Sequence, residues 1–204
     1  MAITGKVGAV YTSDIDAAPV SFTDAATTAD TTKKRYQVTN TANRYWPLDT
    51  DIIVKKNGTK ITSGFTLERA GGFVVFDEAL TADDEITVSG EALTIAQAGG
   101  FFNWSVDTDS EDADATTFES GGFKEFEQVL KGWSGSAEAY WGDEKFFNML
   151  GEIVVVKLFT DAGASQRCVE GFAIINGDGI ESAVDQLVQE SIDFTGVGPL
   201  YIRL

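Results

Sequence analysis

The chain has 204 residues, 43% of them hydrophobic, and a formal net charge of −17 from 32 acids against 15 bases. That suffices for one large domain, or one domain with a smaller insertion. It excludes a nucleic-acid-gripping protein, which would carry a basic stripe, and the absence of histidine excludes Ser–His, Cys–His and His–zinc chemistry. The charge is uneven. Residues 1–50 hold five acids and five bases, whereas residues 101–204 hold 19 acids and six bases, a net of −13. Such a surface keeps a protein soluble, or keeps it from binding nucleic acid. Lys33-Lys34-Arg35 is the nearest thing to a basic patch, and it reads as a strand end or a salt-bridging cluster. The single cysteine, Cys168, has no disulfide partner and reads as a small buried hydrophobe. The opening MAITGKVGAV lacks the apolar region of a secretory signal, and no apolar run nears the ~20 residues of a membrane helix. The expectation is a soluble protein made in a cytoplasm.

In chain order, residues 6–12 alternate as a strand. Residues 13–32 are rich in Ala, Thr and Asp and have the composition of a loop or flexible arm. Residues 34–40 alternate again. Residues 46–91 look like a self-contained unit of four short strands, a small β-meander. Its strongest signal is Asn57-Gly58, because a type I′ hairpin turn needs positive φ at both central positions. Residues 59–66 are the return strand. Gly71-Gly72 leads into residues 73–76, and Ala82-Asp83-Asp84 into residues 85–89. The organisation expected is 1–45, an N-terminal strand and flexible arm joining the main body; 46–95, an inserted meander; and 96–204, the main body.

The main body resumes with a strand at 101–106, then an acidic loop at 107–116. Residues 121–130 fit a helical face through Phe123, Phe126 and Leu130. Residues 134–141 alternate as a strand. Asp143 is a plausible N-cap for a helix over 143–150 that ends before Gly151. Residues 153–159 and 167–175 read as strands, with a turn at 177–179. Val188, Glu190, Ile192 and Phe194 share one strand face, with Gln189, Ser191 and Asp193 opposite, and residues 200–204 close the chain. The fold class is mainly β: two packed antiparallel sheets forming a sandwich or barrel, one short flanking helix, and the meander insertion.

No constellation for catalysis emerges. GWSGS lacks the second glycine of a G-x-S-x-G elbow and has no histidine to serve Ser134. Asp107, Asp109 and Glu111 alternate in the manner of calcium ligands, but the loop lacks the glycine and glutamate spacing of such a site and reads as hydrated acid. Gly177-Asp178-Gly179 is no phosphate cradle, and spacing singles out no glycosidase pair among 32 acids. Trp46, Trp104, Trp133 and Trp141 could line a sugar-binding face, although aromatic residues on strands mostly serve as core. The expectation is a protein that is not an enzyme and has no metal or cofactor.

From about Trp104 onward the order of elements resembles the major tail proteins of long-tailed bacteriophages. The resemblance is carried by the D-x-D stretch leading to Thr117-Phe118-Glu119, Gly122-Phe123, the strand from Trp133 to Ala139, the short helix, a V-x-x-x-F strand, and the closing Asp185 to Gly198 segment. It implies two packed sheets flanked by a helix, and a strand rather than a helix at 121–130. It also implies a homo-hexameric ring whose sheets join edge to edge, rings stacked into a tail tube by loops and arms, and partnership with a tape-measure protein and other tail proteins. DNA would pass through the lumen without specific binding. The subunit would be made in the host cytoplasm and reside in the virion tail, with no membrane partner. On that reading the lumen-facing candidates are Glu125, Glu127 and Glu138, with Asp193 beside them. The rival reading is a virion decoration, fibre or adhesion module recognising a receptor or glycan.

Overall fold

A computed structural model describes residues 8–117, 119–142, 144–161 and 167–203. The chain is mostly strand, in two antiparallel seven-stranded sheets, with one short helix, as the sequence leads one to expect. No described helix is long and apolar enough to cross a membrane. The chain divides into two compact units: Met1–Ala98, Val154–Gly171 and Tyr201–Leu204 make unit 1, while Gly99–Ile153 and Phe172–Leu200 make unit 2.

One sheet lies wholly in unit 1. It is built from β2 (Val20–Ala29), β3 (Arg35–Val38), β4 (Ile53–Lys56), β5 (Thr59–Ile61), β6 (Phe65–Glu68), β7 (Phe73–Phe76) and β8 (Ile86–Ala92), ordered β5-β4-β8-β2-β3-β7-β6. Asn57 and Gly58 both have positive φ, 52° and 78°, so the hairpin turn between β4 and β5 is of the expected kind. The strands foreseen over 46–91 are all present, but β2 and β3 enter between β8 and β7. The return strand is also split, and β6 pairs with β7 instead. The core follows from alternation: Tyr36, Val38, Trp46, Val54, Val74, Phe76, Ile86 and Val88 are buried together, and Trp46 donates Nε1 to Asn43 O at 2.7 Å.

Residues 13–32 are not simply a loop, because ten of them form β2, held by ladders to β8 and β3. Every residue of β2 is exposed or half-buried. A strand with two polar faces shows no period-two hydrophobicity, so its composition mimics a linker.

The other sheet comprises β1 (Ala9–Ser13), β9 (Ile95–Ala98), β10 (Phe101–Asp114), β11 (Phe126–Tyr140), β12 (Ile153–Asp161), β13 (Arg167–Glu181) and β14 (Gln189–Arg203), in the order β10-β11-β14-β13-β12-β1-β9. Strands β13 and β14 contribute residues to both units. The acidic stretch expected as a loop at 107–116 is strand through Asp114, residues 126–130 are strand, and 177–179 lie inside β13 rather than in a turn. The ladder between β10 and β11, which pairs Asp112, Ala113 and Asp114 with Gln128, Glu127 and Phe126, makes strand of both segments where local composition does not advertise it. The helix is a single turn, α1 (Lys145–Asn148), whose N-cap Glu144 makes no side-chain hydrogen bond. The expected cap, Asp143, lies outside the described residues.

Unit 1 also buries charge. Glu170, 2% exposed, accepts from Arg203 Nε at 2.7 Å and from Tyr45 OH at 2.9 Å, with Lys157 Nζ at 3.4 Å. Lys157 also donates to Tyr45 OH at 2.8 Å, and Arg203 reaches Glu68 Oε2 at 2.8 Å. Burial first, and the Glu170 carboxylate second, push the Tyr45 phenol up. Burial works against the charge on Arg203, but Glu170 and then Glu68 hold its guanidinium above its ordinary value.

Cys168 is buried beside Ala9 and Phe159. Burial, then Glu170, pushes its thiol up to about 11 from 9.0. The protonated thiol is the form the fold favours, so its contribution is complete below pH 9 and fades as pH rises through about 11. At pH 8 a thiol reagent is expected to label the folded chain at least about a hundredfold more slowly than the urea-unfolded chain. Equal rates would show that the thiol is open to solvent.

Candidate functional site

The acids singled out by the sequence fall on or beside β10, β11 and β14 of unit 2. These strands pair antiparallel, so residues opposite one another share a face. Asn103, Glu138 and Ser191 form one row across the three strands; Ser105, Ser136 and Asp193 form the next; Asp107, Ser134 and Thr195 the third. Asp109 continues the series opposite Gly132. The rows are knit by side chains. Asn103 Nδ2 donates to Glu138 Oε2 at 2.9 Å, the Ser105 and Ser136 hydroxyls meet at 3.1 Å, and Asn176 Nδ2 donates to Thr195 Oγ1 at 2.7 Å.

The alternate positions of β11 and β14 include the buried apolar side chains Trp133, Ala137, Ala139, Ile192 and Phe194. Trp133 and Phe194 meet edge to face at 6.2 Å. On β11 and β14 one face is thus core over residues 133–139 and 190–194, and the other, continued onto β10, is a polar grid carrying Asp107, Asp109, Glu138 and Asp193. No Lys or Arg occupies a grid position; Lys131, opposite Ser110, belongs to the other face. Such a surface presents oxygen acceptors and negative charge.

No family model matches the chain, and no curated protein matches it. Among solved structures, the chain is similar to a chain in the tail of an empty gene transfer agent particle refined with helical and sixfold cyclic symmetry. Identity is 18%, the match covers 52% of this chain and 83% of that one, and the TM-score is 0.41. It is also similar to a chain in the virion of a native gene transfer agent particle, at 17% identity, covering 54% and 89%, with a TM-score of 0.43.

The structure brings Glu138 and Asp193 together in adjacent rows. It sets Glu127 apart, opposite Ala113 beyond a register shift, roughly 35 Å along β11 from Glu138. Glu125 precedes β11 by one residue, and its carbonyl accepts from Ala115 N at 2.8 Å. Both are exposed. Glu190 is buried on the core face, opposite in direction to exposed Asp193, as alternation requires. Asp107 and Asp109 form an every-second-residue acid series in the sequence, and the structure places that series in β10 rather than in a loop. Of the tryptophans, Trp46 and Trp133 are core, while Trp141 is 45% exposed.

Among the described residues no three acidic or sulfur side chains gather as a metal site. Dialysis against chelator is expected to leave the melting midpoint unchanged; a loss of several degrees would assign a cation to the Asp107–Asp109 series.

Proposed function

We propose that this chain is a structural subunit, without enzymatic activity, that assembles into stacked hexameric rings forming a phage tail tube. The observation that carries this reading is the one-sided sheet of unit 2, apolar on one face and acidic, base-free and solvated on the other, ending in the long edge strand β10. An edge strand exposes unpaired N–H and C=O groups, a liability in a monomer and a joining surface in a closed ring. Large apolar side chains stand exposed in the same unit: Phe102 meets Tyr140 at 4.9 Å, and Trp141 and Phe147 are 45% and 61% exposed. Such patches mark contact surfaces.

In this reading the grid lines the bore. Negative charge repels phosphate, so DNA slides through without adhering. A tape-measure protein and other tail proteins are the partners, the virion tail is the destination, and the host cytoplasm is the place of assembly.

Negative-stain microscopy of the purified protein tests the assembly: rings or tubes of sixfold symmetry are expected. Isolated globules at high concentration would overturn it and favour a decoration or fibre module. The lumen is tested separately with Glu138→Lys and Asp193→Lys together. Tubes should still form, because exposed charges contribute little to stability. DNA ejection should slow at low salt and recover at high salt. The pair Glu125→Lys and Glu127→Lys, far out along β11, should slow it less. Unchanged ejection through normal tubes carrying the Glu138→Lys and Asp193→Lys pair would place the grid elsewhere.

A further inference from the structure

Unit 1 concentrates positive charge in an otherwise acidic chain. Arg35, Arg44, Lys157 and Arg203 line one cleft of about 480 Å³, together with Tyr45, Phe73 and Glu170. Glu170 and Glu68 are the carboxylates paired with these cations, so the four bases exceed the two acids.

The acids do not use all the donors. Arg203 has all three nitrogens engaged, with Nε on Glu170, Nη1 on Glu68 and Nη2 on Ala70 O. Lys157 is shared between Tyr45 and Glu170. Arg35, by contrast, spends only Nη2 among the described residues, on Glu68 Oε2 at 2.6 Å, and its Nε is enclosed without an acceptor there. Arg44 spends Nε on Val38 O and Nη2 on Thr39 O, leaving Nη1 with no hydrogen bond among the described residues. The Arg35 and Arg203 guanidiniums lie 4.5 and 4.4 Å from the Phe73 ring centroid, which orients them. Burial disfavours the charge on Arg44.

We propose that this cleft binds an oxyanion, a phosphate or a carboxylate, with Arg35 and Arg44 as its ligands and Lys157 as the neighbouring charge. The Nη1 groups of Arg35 and Arg44 have no hydrogen bond among the described residues, and an arriving oxygen can accept from both. Guanidinium forks match both anions in a bidentate way. An anion would also neutralise the surplus charge held in a partly desolvated wall. The inference concerns the single subunit and does not rest on tube assembly.

The test is calorimetric titration of the full chain with inorganic phosphate and, separately, with acetate, against chloride at matched ionic strength. Saturable heat for either anion supports the site, and whichever binds tighter names the class. Arg35→Gln should weaken that binding about tenfold with little change in melting midpoint. Arg44→Gln should do the same, but it also removes bonds to two carbonyls, so Arg35→Gln is the deciding variant and Lys157→Met the second. No saturable heat for either anion, or undiminished binding by folded Arg35→Gln, overturns the proposal.

Discussion

Glu170→Gln is expected to lose about 3–5 kcal/mol of folding stability, the range seen when one partner of a buried pair is removed. The replacement keeps the shape of the side chain, so the loss is electrostatic. Glu170 is 2% exposed and holds Arg203, Tyr45 and Lys157 at once. Without the carboxylate charge, a guanidinium and an ammonium share a poorly hydrated pocket, and the Gln amide can serve only part of the former donor set. Glu68→Gln should cost less, because its side chain is 17% exposed and Arg35, one of its two partners, is more open still. Combining Glu170→Gln with Lys157→Met should return part of the loss, since it removes one stranded charge. Urea unfolding followed by circular dichroism measures all three. A loss below about 1 kcal/mol for Glu170→Gln would mean that water reaches the network and screens it.

Gly196→Ala should be nearly as damaging, at about 3 kcal/mol. A Cβ at this position would lie 2.1 Å from the Trp133 indole, at both Cε2 and Nε1. The indole is buried and cannot yield without losing its Nε1 bond to Gly198 O at 2.9 Å and its edge contact with Phe194. Overpacking and a stranded N–H therefore add. Gly198→Ala is the control, for its Cβ meets nothing within 4 Å, although its φ of +78° carries a backbone cost of its own. The expected signature of Gly196→Ala is a lower urea midpoint with a red-shifted tryptophan emission. A midpoint within experimental error of the parent would show that the indole has room to move.

Sequence and structure agree where a signal is local and disagree where it is not. Val188, Glu190, Ile192 and Phe194 declared their shared face by alternation, and three of them are buried in β14. Asn57-Gly58 declared its turn by backbone chemistry alone. The sequence marks Asp193 and Glu138 as acids, but their adjacency depends on the pairing of β11 with β14, which no local pattern encodes. The Asp107–Asp109 series had strand periodicity but lacked apolar partners, so its place in β10 emerged only from the ladder to β11.

By itself the sequence determined that the chain is mainly β, strongly acidic and without imidazole chemistry, because composition and side-chain period are local properties. Tertiary structure alone decided three things: that β2 lies between β8 and β3, that the acids of three strands meet on one open face, and that cations scattered from Arg35 to Arg203 line one cleft. Each depends on hydrogen-bond ladders between residues far apart in the chain, whose free energy comes from pairing and burial rather than from the propensity of either segment.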